Sequence, residues 1–137
     1  MQLIIPFQEI TYFVSRHYGQ EIKLSTISSN EFETSYRKKI LLFHIKVNVE
    51  ITIVEVMDSA VRISYSGNKA VQIIIPKVLE YLNGRYPDLR NALVIDKEGH
   101  ILIELSKLNG TQKIFSNLAL EDIIVDSDNL RISAKLL

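Results

Sequence analysis

The chain has 137 residues, 47% of them apolar, with 16 Lys and Arg balanced by 16 Asp and Glu and no cysteine. It is long and apolar enough for one domain with its own core, which excludes global disorder. Zero formal charge aims no field at nucleic acid or an anionic membrane, and the missing cysteines exclude disulfides, thiolate metal sites and cysteine nucleophiles.

The segment Met1-Gln2-Leu3-Ile4-Ile5-Pro6 has no positive region and too few apolar residues for a secretory signal. No window approaches the roughly 18 uninterrupted apolar residues of a membrane helix. A complete chain of this kind is expected in the cytoplasm, and an exported one only if a leader has been removed. Phe7, Ile10, Val14 and His17 follow helical spacing, with Pro6 in front and Gly19 behind, and predict a helix from Phe7 to about Tyr18. Glu21–Ser28 alternates as a strand. The polar stretch Ser28–Tyr36 reads as a weaker strand or a loop.

Lys39–Val56 carries the strongest signal. Leu41, Phe43, Ile45, Val47, Val49, Ile51 and Ile53 are apolar, whereas His44, Lys46, Asn48, Glu50 and Thr52 between them are polar. Strict alternation predicts one long strand from about Ile40 to Val56, with an apolar and a wet face. Val61, Ile63 and Tyr65 resume the alternation and complete a hairpin. A second helix is predicted over Lys69–Arg85, capped by Asn68 and kinked at Pro76, the alternative being an extended Val71–Ile75 with a helix starting at Pro76. Ala92–Asp96 and His100–Leu105 make a hairpin across Lys97-Glu98-Gly99, and Asn109-Gly110 marks a turn. Lys113–Asn117 is ambiguous. Leu120–Val125 and Leu130–Leu136 make a third hairpin across Asp126-Ser127-Asp128-Asn129. The sum is a single α+β domain over residues 1–137. Its antiparallel, strongly curved meander sheet carries two main helices on its apolar face.

Chemistry finds little support in the sequence. His17, His44 and His100 lie far apart and form no local metal motif. Asp126-Ser127-Asp128 opens like a calcium loop, but Arg131 and Leu137 stand where that loop needs glycine and glutamate. Glu121-Asp122, Asp96 and Glu98 read as turn carboxylates. Glu50 lies on the wet face, while Glu55 holds an apolar-face position near the strand end. Arg37-Lys38-Lys39 reads as a solvated strand end. No phosphate-binding glycine pattern or serine elbow is present. The expectation is a protein that is not an enzyme and has no cofactor or metal.

What remains is apolar area. A strand of about 17 residues spans roughly 55 Å, whereas helices of this length reach about 18–25 Å. Either the sheet curls around its helices, or part of the face stays open as a groove for a lipid-like ligand or a protein partner. Its lining is expected from Phe43, Ile45, Val47, Val49 and Ile51 on the strand and Ile74, Val78 and Tyr81 on the second helix. The alternative is a structural or assembly protein that closes the face by homodimerisation, with no ligand.

The element order over Val49–Tyr65, Ala70–Leu82, Ala92–Leu105 and Leu120–Leu136 resembles one half of the tubular lipid-binding domains related to bactericidal/permeability-increasing protein, in their bacterial single-domain form. That resemblance implies a curved sheet wrapped around a long helix, with an apolar groove as its working part. Such relatives are usually exported behind a leader peptide, which the opening Met1–Pro6 does not lead one to expect here, and no individual functional residue carries over.

Overall fold

The computed structural model describes residues 1–40, 42–89, 91–108 and 110–137, apart from the side chains of Lys38–Ile40, Phe43–Ile45 and Asp88. The expectations at Leu41 and at the Asn109-Gly110 turn, and those on the side chains of Lys38, Lys39, Phe43, His44 and Ile45, fall outside the described residues. In chain order the elements are β1 (Gln2–Pro6), α1 (Phe7–Tyr18), β2 (Ile22–Ser28), β3 (Glu31–Ile40), β4 (Phe43–Val56) and β5 (Ala60–Ser66). There follow α2 (Lys69–Arg85), β6 (Leu93–Ile95), β7 (Ile101–Glu104), α3 (Gln112–Asn117), β8 (Leu118–Asp126) and β9 (Asn129–Leu136). Every strand pair is antiparallel, and the class is α+β.

The strands form two sheets. Six of them run in the order β2-β3-β4-β5-β7-β6, and three in the order β1-β9-β8. The smaller sheet takes in the third predicted hairpin and adds β1, from a segment with no alternation to announce it. The long predicted strand is β4 from Phe43 onward, while Ile40 at its predicted start ends β3, the strand that occupies the polar stretch read as a weaker strand or a loop. β3 and β4 pair from Glu31↔Thr52 to Ile40↔Phe43, so the chain turns back just before Phe43, and Leu42 in that turn is 91% exposed. The turn lacks Gly, Pro, Asn and Asp, the residues by which turns are recognised.

Both long helices end as their sequences require. Gly19 takes the left-handed conformation (φ 63°), and its N–H donates to the Ser15 carbonyl at 3.0 Å. The Asn68 side chain accepts from the Val71 N–H at 3.1 Å. α2 runs through Pro76 to Arg85, so Val71–Ile75 is helical and not extended.

The two sheets meet at the β8–β9 turn. Ser127 and Asp128 have φ of 48° and 62°, the type I′ geometry that suits a two-residue hairpin. That conformation turns Asp128 toward β2. Its Oδ1 accepts from the Thr26 N–H and the Thr26 hydroxyl, each at 3.0 Å, and its own N–H donates to Thr26 Oγ1 at 2.8 Å. The Asp128 carbonyl accepts the Phe7 N–H at 2.8 Å, satisfying the first donor of α1. Phe7 is buried behind this junction and packs on Phe32, ring centroids 5.8 Å apart. Farther along β8, the Leu120 N–H donates to the Asp58 carbonyl and the Val125 N–H to the Ser29 carbonyl, both at 2.8 Å.

Thr26→Val removes a hydroxyl that both donates and accepts in this junction. With solvent access limiting the loss, it should lower stability by about 1–2 kcal/mol in urea denaturation. An unchanged midpoint would show that the junction holds the sheets together by other means.

Candidate functional site

β4 and α2 carry the residues whose apolar character exceeds what a small core can absorb. On β4 the inward face comes from the odd positions. Val49 is buried at 4% exposure and Val47 and Ile51 are half-buried, while Lys46, Asn48 and Glu50 are exposed. The parity changes at Val54, the extra residue of a bulge between Ile53 and Glu55 in the pairing with β5. The bulge brings Glu55 opposite Arg62, and the guanidinium donates to its carboxylate at 2.7 Å. Continued alternation would have aimed Glu55 at the core. Beyond the bulge, Val56 pairs with the buried Val61.

α2 divides differently. Val71 is its buried residue and the anchor of its first turn. Gly67 lies so close that a Cβ there would stand 2.7–2.9 Å from the Val71 side chain, so only glycine fits. Ile74, Ile75, Leu79 and Leu82 are half-buried. Ile73 is 60% exposed, Tyr81 52% and Val78 36%. Of the residues expected to line a groove, Val49 therefore belongs to the core, Val47, Ile51 and Ile74 to its margin, and Val78 and Tyr81 to the surface. The side chains of Phe43 and Ile45 are outside the described residues.

An aromatic cluster at the C-terminal ends of α1 and α2 adds residues that the sequence pattern did not single out. Tyr18 meets Tyr86 edge to face at 4.8 Å, and the Arg85 guanidinium stands 5.8 Å from the Tyr86 ring centroid. The Tyr36 hydroxyl donates to Gln20 Oε1 at 2.6 Å. Burial, helped by the neighbouring Tyr81, pushes the Tyr36 phenol above its ordinary pKa. These residues come from α1, β3 and α2, far apart in sequence.

Two surface hollows carry charged side chains in their walls. One of about 500 Å³ beside α2 is lined by Lys77, Glu80, Tyr81, Gly84 and Arg85. Another of about 720 Å³, between α1 and the outer face of the large sheet, includes Glu9, Tyr12, Lys23, Arg37 and Lys46 in its wall. Among the described residues no group of three or more His, Asp or Glu could hold a metal ion, and no helix is long and apolar enough to cross a membrane.

The carboxylates tie strands and turns together. Asp96 Oδ1 accepts from the Glu98 and His100 N–H groups, at 2.9 and 3.0 Å, and closes the β6–β7 turn, where Gly99 has φ 81°. Glu104 accepts from the hydroxyls of Ser59, at 2.6 Å, and Ser106. Burial works to raise its pKa, but the two hydroxyls, the Lys107 charge and the Ser106 N–H together hold the carboxyl below its ordinary value. His17 stacks on Phe13 at 4.3 Å near the end of α1.

Two predictions follow from these positions. Val49→Asp puts a carboxylate in the core and should cost on the order of 4 kcal/mol or more, whereas Ile73→Glu should change stability by less than about 0.5 kcal/mol. Equal losses in denaturant titrations would contradict the assignment of the two faces. Because the folded state lowers the Glu104 pKa, its contribution is present above the ordinary carboxylate range and is lost as pH falls through the folded value. Ser59→Ala should therefore move acid unfolding to higher pH and leave the neutral-pH fold unchanged; an unmoved acid midpoint would refute the linkage.

Comparison of the chain with protein-family models, curated proteins and solved structures gives no match.

Proposed function

We propose that the protein is a non-enzymatic binding module that docks another protein along the outward side of α2. The observation that supports this is the imbalance within that helix. Its sequence is rich in Ile, Val, Leu and Tyr, yet Val71 is its buried residue, and Ile73, Val78 and Tyr81 face solvent. A helix face that exposes large apolar side chains interleaved with charged ones is a surface suited to another chain. Lys77, one turn from both Ile73 and Tyr81 on the same face, with Glu80 and Arg85 adds the polar groups by which protein interfaces fix orientation.

The lipid-like ligand is the weaker of the two occupants considered from sequence. A lipid tail needs an enclosed apolar cavity, and the hollow beside α2 is open, with Lys77, Glu80 and Arg85 in its wall.

A photo-crosslinking amino acid at Ile73 tests the reading in the source cells. We expect one discrete protein adduct that disappears when Tyr81→Glu is added, and none from the same probe at the exposed Glu121 on β8. Adducts of lipid mass alone, or protein adducts indifferent to Tyr81→Glu, would overturn it.

A further inference from the structure

We propose that the open edge of β1 pairs, antiparallel, with β1 of a second copy of this chain. This inference concerns a surface other than α2 and does not depend on the α2 reading.

Sheet edges expose unpaired N–H and C=O groups, and natural proteins blunt them with charge, proline, bulges, short length or a cover. The other edges here are managed. β2 has α1 alongside, β6 is three residues long, and β8 gives N–H groups to the Asp58 and Ser29 carbonyls. β1 has none of these devices along Gln2–Ile5. It bears no charge, its register with β9 runs without a shift, and its proline stands at the far end. Leu3 and Ile4 point to opposite faces of the strand, and they are 56% and 51% exposed.

The hydrogen-bond parity fixes which groups are open. The Met1 carbonyl accepts from the Ala134 N–H and the Asp128 carbonyl from the Phe7 N–H, both in the β1–β9 register. Odd residues of β1 therefore exchange hydrogen bonds with β9, and even residues turn theirs outward. The outward set is the N–H and C=O of Gln2 and of Ile4, since Pro6 has no N–H and its carbonyl, at the N-cap of α1, serves the first turn of the helix.

One two-fold arrangement uses this set well. With Leu3 opposite Leu3 of the second copy, Gln2 faces Ile4 and Ile4 faces Gln2. Every outward N–H and C=O of those residues is then paired, and Pro6 lies beyond the seam. A register centred on Ile4 instead puts Gln2 opposite Pro6, which has no N–H to give, and leaves the Gln2 carbonyl unpaired. The favoured register brings no like charges together and joins the two small sheets into one continuous sheet.

The chain as a whole also exposes more surface than a compact monomer of its mass. The chain exposes 9157 Å², against about 7,300 Å² for a compact monomer of its mass. The excess is larger than the roughly 800 Å² that each partner contributes to a standard interface.

The parity supplies a selective test. Ile4→Pro removes an N–H that the folded chain does not use and leaves the bonds to β9 in place; Leu3→Lys adds charge to the edge. Sedimentation velocity of the untagged protein over a wide concentration range should show a species of twice the 15.7 kDa chain mass. Both variants should lose that species while keeping the wild-type circular dichroism spectrum. Tyr81→Glu on α2 should retain it. A wild-type protein that stays monomeric, or a dimer that survives both β1 variants, would overturn the proposal. A dimer lost through Tyr81→Glu alone would overturn it too, by placing self-association on α2.

Discussion

Asp128 is the point at which three distant parts of the chain are tied together. Its left-handed backbone closes the β8–β9 turn, its carboxylate and N–H engage Thr26 on β2, and its carbonyl receives the first N–H of α1. A residue at this position must tolerate positive φ and present a short acceptor, which Asp does and a β-branched or long side chain does not. With the junction in place, Phe7 is held against Phe32 and the small sheet sits at the end of the large one. Without it, the β8–β9 hairpin and β1 would form a three-stranded unit with little core of its own.

Bulges carry out the rest of the adjustment. Ile27, Val54 and Glu121 are the extra residues where registers shift in β2, β4 and β8, and all are exposed. Two of them adjoin the contact between the sheets. Ile27 follows Thr26, and Glu121 follows Leu120, whose N–H reaches Asp58. The third moves Glu55 to the outer face beside Arg62, which resolves a conflict that simple alternation leaves standing.

Much of this was legible in the sequence. The limits of α1 and α2, the Gly19 and Asn68 caps, the turn at Gly99 and the aspartate-rich turn of the last hairpin follow from local chemistry, and the structure has them. Three features were not legible, each for a physical reason. The β3–β4 reversal carries no turn residue, so the long strand was read as starting at Ile40, and the polar β3 was read only as a weaker strand or a loop. β1 is too short for alternation to register, and its place beside β9 depends on a pairing more than a hundred residues distant. The split into two sheets is set by which hairpin edge is left to join which neighbour, a tertiary matter on which periodicity is silent. For the candidate site, the surplus of apolar residues was visible in sequence, but its distribution was not. On β4 Val49 is buried and Val47 and Ile51 stand at the margin of the core, whereas α2 keeps Ile73, Val78 and Tyr81 at the surface.

The proposed self-association rests on one claim: the fold leaves the β1 edge open, and β1 of a second copy pairs with it. Association that favours the folded state makes thermal stability depend on concentration. Following the unfolding midpoint across a dilution series is the most direct measurement. The account predicts a Tm that climbs steadily with protein concentration in the wild type and is flat in Ile4→Pro. A wild-type Tm that does not move with concentration would contradict it.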